Sequence, residues 1–193
     1  MDKSLGKLEK VELRQIWGHE ARDFTRWLAR EENLEILSDE IGIEISPLKT
    51  EAQNGDFYVD ILAEEVNTGR KIIIENQLEP TNHDHLGKLI TYASGQDAEI
   101  IIWIVKEVRE EHRHAVDWLN EHTDNRINIF IIKMELWRIG ESSSAPKFLI
   151  VSEPNKWVKE VKRSVEDSEL SDTKLLQLEF WNRFKEYAEK TGT

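Results

Sequence analysis

The sequence predicts an α/β fold: a central sheet of mixed strand direction flanked by helices, with a helical extension at the C-terminal end. Three observations carry this. Short runs rich in β-branched and aromatic residues alternate with amphipathic stretches through most of the chain. Two of these runs, Phe57 to Leu62 and Ile72 to Gln77, flank Asn67-Thr68-Gly69, whose Asn and Gly tolerate positive φ and so read as a hairpin turn. Glu99 to Val105 (EIIIWIV) is a continuous apolar run, the pattern of a strand buried on both faces.

Taken in order, Val11 to roughly Glu31 reads as one helix, because Leu13, Ile16, Trp17, Phe24, Trp27 and Leu28 recur at helical spacing. Leu34 to Leu37 finishes or follows it. Ile41, Ile43 and Ile45 then alternate as a first strand, which Pro47 closes. Glu51 falls in the loop before the hairpin. After the second hairpin strand, Pro80 blocks continuation and Thr81 or Asn82 caps a helix from about His83 to Ala93. Its inward side is Leu86, Leu89, Ile90 and Ala93, while His85, Lys88 and Tyr92 share a separate face. Glu110 to Glu121 is a further helix with Ala115, Val116, Trp118 and Leu119 inward, leaving His112, His114 and His122 toward water. Ile127 to Leu136 and Phe148 to Val151 are the last strands, separated by the Ser142-Ser143-Ser144 loop.

Composition narrows the function. Of 193 residues, 39% are hydrophobic and 33% charged, an ordinary balance for a soluble globular protein. No apolar run approaches the ~18 residues of a membrane span, and MDKSLGKLEK lacks the apolar core of a signal peptide, so a cytoplasmic protein without membrane association is expected. The absence of cysteine excludes disulfides and Cys-based zinc sites. The formal net charge of −12 argues against a general nucleic-acid binder, although local Lys and Arg can still dock a phosphate backbone beside an acidic pocket.

The chemistry-bearing stretch is the hairpin. Side chains alternate faces along a strand, so Glu75 and Gln77 share one face. Folding about Asn67-Thr68 brings Asp60 level with Glu75, to within a residue or so of register. Two carboxylates and an amide then converge at a strand end. They are either solvated strand ends or a divalent-metal site, since Mg²⁺ is held by one or two carboxylates together with water and substrate phosphate. Glu20 is the second anomaly, lying on the apolar stripe between Ile16 and Phe24. A buried carboxylate needs a partner. Either it pairs with Arg22 or Arg26, or it belongs to the site.

Asp60, followed after the hairpin by Glu75-Asn76-Gln77, resembles the PD-(D/E)XK nuclease superfamily, the restriction-endonuclease-like fold. Gln77 stands where Lys is usual. A longer resemblance, through Trp17-Gly18-His19-Glu20, IIIENQLEPTNHDHLGKLITYASG and HAVDWLNEHT, covers residues 11 to 157. It is to an uncharacterised bacterial and archaeal family assigned to that superfamily by motif. The resemblance implies Mg²⁺ or Mn²⁺ as cofactor, with Asp60, Glu75 and the Asn76 carbonyl as metal ligands and Glu51 as a further acidic contributor. It implies catalytic roles for Asp60, Glu75, Gln77 and Lys88, and for Glu20 from the first helix. Lys88 and Tyr92 resemble a Gln-x-x-x-Tyr signature of one nuclease branch, with Lys in place of Gln. DNA is the implied partner, contacted by His83, His85, Lys88 and Tyr92. The structural alternative for the two histidines is helix capping or an exposed polar face.

From residue 158 the pattern changes. Ser164 to Asp172 (SVEDSELSD) reads as an acidic linker, and Thr173 to about Lys190 as a helix with Leu176, Phe180, Trp181, Phe184 and Tyr187 making a wide apolar surface. Such a surface packs on the core or on a partner, giving a homodimer or the start of a second domain. Relatives often continue into a second domain at this point, which implies a truncated or short form. The expected domains are thus 1–157, nuclease-like, and 158–193. The leading expectation is a metal-dependent nuclease hydrolysing DNA phosphodiester bonds. Its rivals are a catalytically inactive nuclease-fold module that binds nucleic acid or protein, favoured by Gln77 and the acidic charge, and a purely structural protein.

Overall fold

The structure, a computed structural model, describes residues 5–54, 57–124 and 126–154. The acidic linker and C-terminal helix expected after residue 157 lie outside the described residues. Seven strands form one mixed sheet: β1 (Leu8–Val11), β2 (Ile45–Asn54), β3 (Phe57–Glu65), β4 (Lys71–Pro80), β5 (Ile100–Glu107), β6 (Asn128–Ile139) and β7 (Ala145–Ser152). The helices are α1 (Leu13–Ile16), α2 (Arg26–Leu28), α3 (Glu31–Ile41), α4 (His83–Gln96) and α5 (Glu110–His122), with a π-helical segment at Glu20–Thr25. The sheet order is β1-β6-β5-β4-β3-β2, with β7 on the other edge of β6. Among the described residues no helix is long and apolar enough to cross a membrane.

The hairpin forms as its turn residues dictate. Gly69 takes φ +70°, and its N–H donates to Glu65 O at 2.8 Å. The buried Glu65 carboxylate accepts from Arg70 Nε at 2.7 Å and from the Thr68 hydroxyl, tying the turn to its own strand. The β3–β4 ladder runs from Glu64↔Lys71 to Ile61↔Ile74 and then ends. Beyond it β3 curls away, and Val59 and Ala52 join the cluster under α4.

β5 lies parallel to both neighbours, with Ile101 level with Ile73 and Ile129. This is why its run is apolar throughout: one face needs Ile101, Trp103 and Val105, the other Ile100, Ile102 and Ile104. The first face meets Leu89, Tyr92 and Ala93 of α4 and Val116 of α5. The opposite face of β4 looks toward the π-helical segment, to which the buried Asn76 Nδ2 donates at Thr25 Oγ1 (3.0 Å).

Several elements depart from the sequence reading. The single helix expected over Val11 to Glu31 is broken. β1 ends at Val11, α1 is one turn, and Trp17 is extended at φ −117°, ψ 98°. The chain re-enters a helix at Glu20 with π geometry, and Arg30 is extended again. The apolar residues still gather: Trp17, Phe24 and Trp27 form an aromatic triangle with centroids 4.8–5.7 Å apart. Ile16, however, is 52% exposed. Ile41 is the last residue of α3, which Gly42 terminates at φ 84° with its N–H on Ser38 O. Pro47 does not close a strand. It sits inside β2 at a register irregularity on the sheet edge, where a missing N–H is tolerated. β1, unanticipated, pairs with the C-terminal half of β6.

Candidate active site

Where β3 leaves β4, two main-chain N–H groups of β4 lose their strand partner, and carboxylates take them. Asp60 Oδ2 accepts from Asn76 N at 2.8 Å, and Glu20 Oε2 accepts from Leu78 N at 2.6 Å. Glu75 Oε1 in turn lies 3.4 Å from the Asp60 N–H. A strand residue presents its N–H and C=O to the same edge, so the Asn76 carbonyl lies on the edge that Asp60 occupies. Two carboxylates from separate elements, Asp60 and Glu20, are therefore anchored to one short stretch of β4 that itself carries a third, Glu75.

Their electrostatics follow from this crowding. Glu75 is 3% exposed, and burial together with the neighbouring Asp60 charge drives its acid well above the ordinary carboxylate range. Burial, then the Glu20 and Glu51 charges, drives Asp60 up as well, against the Asn76 N–H bond that favours its anion. Glu20 is raised by burial. The Lys88 ammonium acts in the opposite sense on all three. Two facing carboxylates, one buried and one half-buried, cannot comfortably both be charged without a counter-charge.

Each predicted residue can now be placed. Asp60 and Glu75 meet as the turn register requires. Glu20 joins them through Leu78 and forms no ion pair with Arg22 or Arg26 among the described residues. Gln77 is buried, its Nε2 donates to Pro80 O at 2.8 Å, and its Oε1 has no hydrogen-bond partner among the described residues. Lys88 is exposed on α4. Tyr92, expected with His85 and Lys88 on a face apart from the inward side, is 3% exposed, while Ile90, expected inward, is 49% exposed. Burial, then the Glu75 and Asp60 charges, push the Tyr92 phenol up. Glu51 is not in a loop: it lies in β2, exposed, at φ 49°. Asn82 is the α4 cap, accepting from His85 N at 2.9 Å, and burial lowers the His85 imidazole. Among the described residues no three His, Asp or Glu side chains are grouped to hold one ion.

Three participants escaped the sequence reading. His112, expected toward water, is 3% exposed. Its Nδ1 lies 2.8 Å from Thr81 Oγ1 and its Nε2 3.0 Å from His83 Nδ1. Thr25 is fully buried beneath Asn76. Trp103, level with Glu75 on β5, is fully buried with an indole N–H that has no hydrogen-bond partner among the described residues. The hydrogen bonds of His112 and Thr25 join residues 29 to 51 positions apart, a distance that local spacing does not register.

The chain matches no protein-family model and no curated protein. Among solved structures it is similar to a repair endonuclease from Pyrococcus abyssi, with 12% identity and a TM-score of 0.41, over 51% of this chain and 42% of that one. It is similar to EndoMS in a complex with double-stranded DNA, with 17% identity and a TM-score of 0.36, over 45% and 38%. It is similar also to Pyrococcus furiosus SfsA in complex with Ca²⁺, with 15% identity and a TM-score of 0.35, over 65% and 59%. The chain thus spans less than two thirds of each of these proteins.

Proposed function

We propose that this protein is a Mg²⁺- or Mn²⁺-dependent nuclease of the PD-(D/E)XK type that hydrolyses DNA phosphodiester bonds. The observation that carries the reading is the facing of two carboxylates, the buried Glu75 and the half-buried Asp60, at the point where β3 departs from β4. The donor set suits a hard divalent cation: two carboxylates and the Asn76 carbonyl, all oxygen. When bound, such an ion supplies Lewis acidity and neutralises developing charge on phosphate. Asp60 and Glu75 hold it; Glu20, fixed on Leu78, adds negative charge from the other side, and Glu51 adds more from β2. The Gln77 amide is locked by Pro80 and presents Oε1 as an acceptor that can orient water. It brings no positive charge, and Lys88 fills that role from α4. His83, His85 and Lys88 form the DNA-facing turn, with Tyr92 buried behind them in the core under α4.

Gln77 also favours a second reading, in which the fold binds nucleic acid or a protein without cutting, since no cation stands in its place on β4. Plasmid nicking in Mg²⁺ or Mn²⁺ separates the two. The nuclease reading expects nicks from the parent protein and none from Glu75→Ala. Duplex binding without nicking in either metal would support the inactive module.

A further inference from the structure

The buried chain Thr81–His112–His83 has no place in the carboxylate site, yet it ends at the first residue of α4. Thr81 is fully buried and His112 nearly so, while His83 is exposed. Proton positions along the chain follow from what each atom must do. Thr81 Oγ1 already accepts the Arg109 N–H at 3.0 Å. Its own hydroxyl proton is buried, and among the described residues the other polar atom bonded to Thr81 Oγ1 is His112 Nδ1 at 2.8 Å. A buried hydroxyl left without an acceptor is costly, so Thr81 donates and His112 Nδ1 accepts. The neutral imidazole then carries its proton on Nε2, which donates to His83 Nδ1 at 3.0 Å. His83 is left with its proton on Nε2, the ring nitrogen away from His112. The Trp103 ring braces His112 edge-on at 5.8 Å, and Trp103 is level with Glu75, so the chain stands one ring away from the carboxylate pair. Arg109 and Glu111 are the charged groups acting on His112, and Asp84 follows His83 in the first turn.

We propose that Thr81 and His112 are positioning residues that hold His83 as a neutral, fixed Nε2–H donor to a phosphate oxygen, an inference resting on the nucleic-acid role proposed above. A strongly acidic chain gains from a contact of this kind: it directs phosphate to the site through a preset hydrogen bond. Two measurements test it. Long-range ¹H–¹⁵N correlation spectra of the full chain at pH 8 should show His83 as the Nε2–H tautomer. Thr81→Val should mix its tautomers, and Thr81→Ser should restore the parent signature. Fluorescence anisotropy with a 20-base-pair duplex in EDTA should show His83→Ala and Thr81→Val each weakening binding by about tenfold. Thr81→Ser should bind like the parent, and the double variant should lose no more than either single. An Nδ1–H tautomer at His83 in the parent overturns the proposal without any variant. So does a duplex bound equally by parent and His83→Ala, which leaves the nuclease reading standing. No duplex binding by the parent overturns the phosphate contact together with DNA recognition, while the tautomer spectra still report whether Thr81 and His112 set the ring.

Discussion

Asp60 and Glu75 hold each other's strands: Asp60 Oδ2 takes the Asn76 N–H at 2.8 Å, and Glu75 Oε1 faces the Asp60 N–H at 3.4 Å. The ladder ends one step earlier, at Ile61↔Ile74, so the two side chains stand in for the main-chain pairing that the curl of β3 removes. The same side chains are those proposed to hold the divalent cation. Local structure and proposed chemistry therefore depend on one pair.

The first prediction concerns stability and needs no substrate. Both acids are raised, Asp60 to about 7 by burial and then the Glu20 and Glu51 charges, and Glu75 to about 9 by burial and then the Asp60 charge. For a raised carboxylate the charged form is less favourable folded than unfolded. Its contribution to stability is full below the unfolded value near 4 and is lost as pH rises through the folded value. The metal-free protein should thus lose stability progressively between about pH 4 and pH 9 from this pair. Asp60→Asn keeps an oxygen for the Asn76 N–H and removes one charge. It should raise the apo Tm near neutral pH, at about 2–4 °C per kcal/mol gained, and shrink the further rise on adding Mn²⁺. Thermal unfolding at pH 5 and pH 8, with and without Mn²⁺, checks both effects.

Lys88 and Lys71 make a matched pair. Lys88 acts electrostatically on Glu20, Asp60 and Glu75, whereas Lys71 Nζ is engaged at Gln96 O at 3.0 Å. Lys88→Ala should lower the nicking rate by about 10²-fold, on the scale of losing a donor that stabilises developing charge, and Lys71→Ala should leave it near the parent. Equal losses would remove Lys88 from the reaction.

Glu20 has a structural and a chemical duty that two substitutions separate. Glu20→Ala strands the Leu78 N–H and should cost about 1–3 kcal/mol in urea unfolding. Glu20→Gln retains an acceptor for that N–H, so its stability should stay near the parent. If Glu20 adds charge to the site, Glu20→Gln should still lower metal-dependent nicking. Full activity in Glu20→Gln would confine Glu20 to holding β4.

Much of this arrangement was legible in the residues. Asn67-Thr68-Gly69 placed Asp60 opposite Glu75 because hairpin register follows from the turn, and EIIIWIV announced a central strand because both of its faces are covered. What escaped depended on distant partners. Leu13, Ile16, Trp17, Phe24, Trp27 and Leu28 fit one continuous helix, yet Gly18 and the π geometry at Glu20 reset the phase, and Ile16 ends up exposed. The π segment brings Glu20 to Leu78, 58 positions away. β1 buries Val11 alone, so it carries no alternating pattern to read. His112 looked polar and solvent-facing because its partners, Thr81 and His83, lie 31 and 29 residues away. Trp118, expected inward, is 58% exposed and stacks on His122 at 4.6 Å, a local contact that replaces core burial.

The central claim is that Asp60 and Glu75 together hold a divalent cation. Calorimetric titration of Mn²⁺ into the metal-free protein tests it most directly, with Asp60→Asn and Glu75→Ala as paired controls. The account predicts one saturable Mn²⁺ site in the parent, with affinity lowered at least tenfold in each variant while far-UV circular dichroism stays unchanged. Absence of saturable Mn²⁺ heat in the parent, or the same binding isotherm in all three proteins, would contradict it.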